Sequence, residues 1–152
     1  MKKLLVAVAL ALSVTACASG QSGGKSEWTR AYGKTFYEPN AGMAAVYIIR
    51  DDPSQDTAPL SLTMGQQPVS SLSGLTWTRL DLVPSFYDFR AFGTEGSTEL
   101  IVTVNAGQSR FFLIQPKPQG NADLQEISQA EGRRLVRKGQ VVWNSLAVGN
   151  SL

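Results

Sequence analysis

The sequence predicts an all-β protein, an antiparallel β-sandwich of about seven or eight short strands with one short C-terminal helix. From residue 44 onward, short β-branched and aromatic runs are separated by Gly, Pro, Asn or Asp at spacings of about 8–12 residues. Several runs alternate apolar with polar residues, which is the period of a strand with one buried face. Only residues 129–137 have a helical pattern, and Gly132 counts against even that helix.

Each predicted strand is bounded by residues that break sheet pairing. Asp51-Asp52-Pro53 ends the first strand, Gly65-Gln66 predicts the tip of a hairpin, and Pro84 closes the fourth strand. Turns are also expected at 93–96 and 105–107. The predicted strands cover residues 44–50, 60–64, 68–72, 75–82, 86–92, 100–104, 110–115 and 123–127.

The first sixteen residues have the three parts of a secretory signal peptide. Lys2 and Lys3 precede a nine-residue apolar run at 4–12, which is too short to span a bilayer. Val14-Thr15-Ala16-Cys17 then resembles the lipobox of bacterial lipoproteins. We therefore expect cleavage between Ala16 and Cys17, with acyl chains on the Cys17 sulfur. The alternative is an ordinary signal peptide with a chance cysteine.

The predicted lipid anchor decides the expected location. A diacyl or triacyl cysteine exceeds the two signals needed for stable membrane attachment. Position 18 is Ala rather than Asp, which by resemblance to the enterobacterial sorting rule favours the outer membrane over the inner one. We expect a periplasm-facing domain that is held on the membrane through Cys17.

Composition limits the chemistry of this domain. Without the two signal lysines, twelve basic residues balance twelve acidic ones. The chain has no His, and its one Cys is assigned to the lipid, which excludes Ser–His and Cys–His catalysis and zinc sites built on His or Cys. No cofactor, metal or nucleic-acid partner is expected, and the domain is expected not to be an enzyme.

The mature chain divides into four expected regions. The lipidated Cys and a Gly/Ser-rich flexible tether cover 17–26, and an aromatic-containing segment follows at 27–41. The β-sandwich domain is expected at 42–137 and a C-terminal tail at 138–152, which forms an extra strand or a docking segment.

The order of these motifs resembles a family of small bacterial lipoproteins of unknown function. The resembling segments are Ala44-Ala-Val-Tyr-Ile-Ile-Arg-Asp51, Leu80-Asp-Leu-Val-Pro84, Phe86-Tyr-Asp-Phe-Arg-Ala91, Val104-Asn-Ala-Gly107, Phe111-Phe-Leu-Ile114 and Glu131-Gly-Arg-Arg-Leu135. The resemblance covers residues 42–137 and implies a domain related to PEGA and transthyretin-like β-sandwiches in a cell-envelope setting, with no activity attached. This chain has Pro84-Ser85 where such domains usually have Pro-Gly, which leaves the turn type open.

Two carboxylate groups have a functional and a plainer interpretation. Asp51 and Asp52 could supply part of a calcium site, but turn chemistry before Pro53 accounts for them with fewer assumptions. Asp81 and Asp88 could form a glycosidase-type carboxylate pair, but Asp81 lies between two leucines in an alternating strand and is expected to face solvent.

The remaining candidates are surfaces. Tyr87 and Phe89 fall on one face of their strand, and Phe86 and Phe92 fall on the other. If only one face is core, the second set could meet a partner or a glycan, but a sandwich edge, the tether segment or the C-terminal helix could equally cover it. A run of cations near residues 133–138 could meet anionic headgroups or lipopolysaccharide phosphates, or belong to a solvated helix whose cations favour its C-terminal end. We therefore expect a non-enzymatic binding or scaffolding module with an envelope protein or a glycan as its partner. Peptidoglycan or lipopolysaccharide binding is the alternative, and a carboxylate-based hydrolase is less favoured. The expected binding surface consists of Trp77, Phe86, Phe92, Arg133, Arg134, Arg137 and Lys138.

Overall fold

The computed structural model describes residues 35–54 and 57–146 of the 152-residue chain. The predicted signal peptide, its cleavage site at Ala16 and Cys17, and the tether lie outside the described residues. The described part contains one helix, α1 (Gln129–Lys138), and a short 3-10 turn at Pro118–Gly120. Its nine strands are β1 (Ala44–Asp51), β2 (Leu60–Met64), β3 (Gln67–Leu72), β4 (Leu75–Leu82), β5 (Ser85–Phe92), β6 (Ser97–Val104), β7 (Ser109–Pro116), β8 (Ala122–Ile127) and β9 (Gln140–Val141).

The predicted sandwich is confirmed. Sheet A has the strand order β8-β7-β1-β4-β9 and sheet B has the order β3-β2-β5-β6. All eight predicted strands and the predicted helix are present. The pairing is not purely antiparallel, because β1 lies parallel to β7 and β4 lies parallel to β9. Parallel neighbours need long connections. The chain between β1 and β7 runs through β2 to β6, and the chain between β4 and β9 runs through β5 to β8 and α1.

The two sheets enclose the main core with side chains from alternate strand positions. On β5 the core side chains are Phe89 and Ala91, and on β6 they are Val102 and Val104. The β4–β5 link crosses from one sheet to the other in two residues, Val83 and Pro84. Ser85 opens β5 directly and has no positive φ, so this turn does not need glycine there.

A second apolar layer covers the outer face of sheet A. Leu135 and Val136 of α1 pack there on Tyr47 and Trp77. Gly132 allows this close approach, because a Cβ at this position would lie 2.3 Å from the ring of Phe111. Gly132 counted against the helix predicted from sequence, and its close packing on Phe111 explains why glycine occupies this position.

α1 begins where its sequence provides a cap. The Ser128 side chain accepts a hydrogen bond from the backbone N–H of Glu131 at 3.2 Å, which satisfies one of the N–H groups left free at a helix start. Arg137 and Lys138 occupy the last turn, where cations interact favourably with the helix dipole.

Residues beyond 137 belong to the sandwich as well. β9 extends sheet A, and the Asn144 side chain donates a hydrogen bond of 2.6 Å to the backbone oxygen of Arg79. The Ser145 N–H then donates to the Val69 oxygen of sheet B at 2.8 Å. The extra-strand alternative for the tail is thus confirmed for 140–141, and residues 140–146 link the two sheets along one edge.

A buried arginine fixes the crossing from β1 to β2. The Arg50 side chain is 0% exposed. Its Nη1 donates to the backbone oxygens of Ala58 and Leu72, both at 2.8 Å, and its Nη2 donates to Asp52 and Thr57. Asp52 also accepts from the Ser54 N–H at 3.0 Å, which is an Asx turn. The turn interpretation of this aspartate is confirmed.

We expect Gly132→Ala to destabilise the fold, although alanine is the better helix former by about 1 kcal/mol. The added Cβ must displace the Phe111 ring or the helix, which costs about 1–3 kcal/mol net. Urea denaturation monitored by circular dichroism measures the effect. Residue 130 is an exposed alanine in the same helix, so Ala130→Gly should cost about 1 kcal/mol through propensity alone. A more stable Gly132→Ala variant would show that the contact is not tight.

We expect Asp52 to contribute stability that is lost in acid. The hydrogen bond from Thr57, followed by the Arg50 contacts, lowers the pKa of Asp52 below its ordinary value of 3.8. A lowered folded-state pKa stabilises the fold above the unfolded-state pKa, and that contribution disappears as the pH falls through the folded value. Asp52→Asn should cost about 1–3 kcal/mol at neutral pH, with a difference from wild type that shrinks below pH 3.8. Denaturation at several pH values tests this, and Thr57→Val should show the same trend more weakly.

Candidate functional site

Trp77 does not belong to an exposed surface, and its inclusion among the predicted binding residues is wrong. It is 2% exposed and packs in the layer between sheet A and α1, with its ring centroid 6.0 Å from that of Tyr47. On β4 it lies on the face that points away from the main core. The side chains of α1 bury that face.

Phe86 and Phe92 lie on the outer face of sheet B, as the alternation along β5 predicted. Phe86 is 75% exposed and Phe92 is 36% exposed, whereas Tyr87 and Phe89 between them point towards the core. The two exposed rings are six residues apart, which is about 20 Å along a strand. They therefore do not form one aromatic platform.

Phe86 instead lies beside Ile101 on the outer face of sheet B, and the exposed Val83 of the β4–β5 link precedes it by three residues. Ile101 is 68% exposed and Val83 is 59% exposed. Phe86 pairs with Thr103 across the β5–β6 ladder, so Ile101 is its diagonal neighbour, within reach of a large side chain. We call this group of three residues the β5–β6 patch. No element of the described residues packs over it.

Charged side chains border the patch on the same face. Arg90 Nη2 lies 3.1 Å from a carboxylate oxygen of Asp88 and 3.0 Å from one of Glu99. One guanidinium with two carboxylates has a formal charge of minus one. On the far side, β2 contributes the small polar residues Ser61 and Thr63, which pair with Phe92 and Arg90. The apolar surface is therefore confined to one end of β5 and β6.

The four predicted cations of α1 do not behave alike. Arg134 forms an ion pair with Glu131. The hydrogen bonds from Arg134 are the main reason that the pKa of Glu131 is lowered, and the same hydrogen bonds raise the pKa of Arg134. Arg133 and Arg137 both lie over the ring of Phe36, each with its guanidinium carbon 5.3 Å from the ring centroid. Lys138 is exposed at the helix end. Arg133, Arg137 and Lys138 make no ion pair with any other described residue.

A groove of about 630 Å³ lies beside the first turns of α1. Arg133 and Gln129 line it from the helix, and Phe36 and Glu38 line it from the segment before β1. Arg110 and Glu126 form another part of its wall, where they make a two-point ion pair with 2.8 and 2.5 Å contacts. The groove is open and mainly polar, and it lies within the size range of small-molecule sites.

The carboxylate pair proposed for a hydrolase does not form. Asp81 lies on the outer face of sheet A, where it accepts two hydrogen bonds from Arg79 at 3.1 and 2.7 Å. Asp88 lies on the outer face of sheet B beside Arg90. These faces point away from each other across two layers that pack about 10 Å apart. No group of three or more acidic, His or Cys side chains placed to hold a metal occurs in the described part of the chain.

Sequence reasoning missed several residues of these surfaces. Ile101 occupies an outward position of β6. The two-residue alternation of this strand predicts that position from sequence. The contribution of Phe36 and Glu38 had no such signal, because it depends on how the segment before β1 folds back along sheet A. There Phe36 packs on Tyr47 and Phe111 at 6.1 and 6.4 Å.

Comparison with known proteins adds no identity. No known family model matches the chain, and no curated protein matches it significantly. The family suggested by its motifs stays a prediction. Within the described residues, no helix is both long and apolar enough to cross a membrane.

We expect the two faces of β5 to respond very differently to truncation. Phe89→Ala should cost about 3–5 kcal/mol of unfolding free energy, because Phe89 is 0% exposed. Phe86→Ala should change the same quantity by less than about 0.5 kcal/mol, because the ring is in solvent. Urea denaturation of both variants measures the contrast. A large loss from Phe86→Ala would mean that the patch is covered within the protein itself.

Proposed function

We propose that this protein is a lipid-anchored, periplasm-facing binding module of the bacterial envelope, and that it docks a protein partner on the β5–β6 patch. One observation carries the proposal: Phe86 and Ile101, diagonal neighbours on the outer face of sheet B, expose most of their surface, and Val83 in the adjoining β4–β5 link is exposed as well. Single exposed apolar residues are common, but a contiguous group indicates an interaction surface.

The chemistry of the patch describes the partner. Aromatic residues at the centre of an interface supply most of its binding energy, which gives this role to Phe86. The acidic border formed by Asp88 and Glu99 around Arg90 favours a partner with an apolar projection and basic residues beside it. Electrostatic complementarity of this kind guides orientation and the rate of association.

The predicted anchor gives this surface its setting. Acyl chains on Cys17 would hold the domain at a membrane, for which Ala18 favours the outer one. Tethering raises the effective concentration of the domain for partners in the same membrane. A patch with modest intrinsic affinity is then sufficient.

The function is binding without catalysis. The chain has no His, and Asp81 and Asp88 are each engaged by an arginine on separate faces. Binding to a glycan, either peptidoglycan or lipopolysaccharide, is the second candidate, for which Phe86 and Phe92 supply exposed rings on one strand face. Their separation along β5 requires an extended polymer rather than a single sugar.

Site-specific photocrosslinking in intact cells tests the proposal. A benzophenone side chain replaces Phe86 or, in the control, Gln125, an exposed residue of sheet A on β8. We expect one recurrent crosslinked protein from position 86 and none from position 125, because only the former lies in the patch. Mass spectrometry identifies the partner, and Ile101→Glu in the same chain should abolish the adduct.

The controls separate the patch from the anchor and from the glycan alternative. Cys17→Ser tests anchoring independently, through loss of the protein from the membrane fraction. Equal adducts at positions 86 and 125, or adducts insensitive to Ile101→Glu, would contradict docking on the patch. Retention on purified peptidoglycan that depends on both Phe86 and Phe92 would favour the glycan candidate instead.

A further inference from the structure

The groove beside α1 holds two opposite charges that do not pair with each other. Arg133 and Glu38 both line it, yet neither forms an ion pair with any described residue. The other charged wall is neutral, because Arg110 and Glu126 satisfy each other. A ligand in this groove therefore meets one available cation and one available anion.

Arg133 is held ready for an anion by its surroundings. Its guanidinium carbon lies 5.3 Å from the Phe36 ring centroid, which limits its movement by a cation–π contact. Its Nε is buried and has no acceptor among the described residues.

Arg137 adds a second cation beside the groove, over the Phe36 ring, although it is not part of the groove wall. It lies one helical turn after Arg133 and 5.3 Å from the same ring centroid. The two guanidinium carbons are therefore separated by no more than twice that distance. The N–H groups of a guanidinium match the spacing of phosphate oxygens. Two guanidiniums beside the Phe36 ring provide more N–H donors than a single carboxylate can accept.

We propose that this groove binds a phosphoethanolamine group, with its phosphate on Arg133 and Arg137 and its ammonium on Glu38. Two guanidiniums and one carboxylate give the site a net charge of plus one. Free O-phosphoethanolamine, a monoester near minus two with one ammonium, has a net charge of about minus one, and the phosphodiester of a lipid headgroup with its ammonium has a net charge of about zero. Both present a phosphate anion to the guanidiniums and an ammonium to the carboxylate. This inference concerns a different surface from the β5–β6 patch and stands independently of the docking proposal.

The phosphoethanolamine group could belong to a soluble compound or to a lipid headgroup, and two experiments distinguish these sources. Free O-phosphoethanolamine is titrated into the full chain carrying Cys17→Ala, and the Nε–H resonances of Arg133 and Arg137 are followed by NMR. The same chain is then floated with vesicles of phosphatidylethanolamine and phosphatidylcholine in equal parts, or of phosphatidylcholine alone. Without acylation, flotation reports the domain and not its anchor.

Charge-matched variants give the test its direction. Arg133→Gln and Glu38→Gln should each weaken binding of O-phosphoethanolamine by about tenfold. Arg134→Gln removes the same charge from the same helix, but its guanidinium is engaged by Glu131, so binding should change less than about twofold. A surface that merely attracts anions would instead bind more tightly after Glu38→Gln, and that result would overturn the proposal.

The remaining outcomes are equally decisive. Binding of the free probe together with flotation that requires phosphatidylethanolamine identifies a lipid headgroup as the source. Binding of the free probe without flotation identifies a soluble phosphoethanolamine compound, and the site assignment holds. Absence of any resonance shift with the free probe, or equal shifts with glycine, overturns it. Circular dichroism checks that each variant is folded. If Arg133→Gln does not fold, the effect of Glu38→Gln, a change at an exposed position, tests the proposal on its own.

Discussion

Burial of β1 on both faces is the constraint on which the rest of the architecture depends. Every residue from Ala44 to Arg50 is buried, so both sides of this strand must be covered. Sheet B covers one side, where Val46 and Ile48 enter the main core. The other side needs a third layer, and α1 with Phe36 supplies it over Tyr47 and Ile49. A strand buried on both faces reads as a continuous apolar run rather than an alternating one, and this is what the sequence shows at 44–49.

Complete burial of β1 explains two features that look unfavourable when taken alone. Gly132 weakens a helix, yet it brings α1 against the Phe111 ring, and Tyr47 stacks on that ring at a centroid distance of 4.7 Å. Arg50 is a charged residue that is fully buried at the end of β1, where its guanidinium donates four hydrogen bonds. Removing one partner of such a group is more damaging than its net contribution suggests, because the charge stays buried. Both residues are consequences of covering β1 completely.

Local patterns predicted the strands well because each is bounded by turn residues that act over a few positions. The outward direction of Phe86 followed from the two-residue period of β5 in the same way. Trp77 lies on the face of β4 that α1 covers, and the two-residue period of a strand does not by itself show whether a helix covers its second face. The parallel pairing of β1 with β7, the hydrogen bond from Arg50 to the Leu72 oxygen and the contact of Phe36 with Phe111 all join residues distant in sequence. Such contacts depend on the assembled fold and leave no trace in a local window.

Both proposed surfaces meet at one end of the sandwich, and this position gives them a common physical setting. The β5–β6 patch begins at the β4–β5 link, and the groove includes Gly107 and Gln108 of the β6–β7 turn. Arg110 connects them, since it lines the groove and donates to the backbone oxygen of Thr103, the cross-strand partner of Phe86. The chain also enters here, because the Gly107 N–H donates to the Met43 oxygen at 2.8 Å. If Cys17 is acylated, nineteen residues separate the membrane from Phe36, a reach of at most about 65 Å. A headgroup site and a docking patch at this end of the sandwich would then both lie within reach of the membrane surface, its lipids and its proteins.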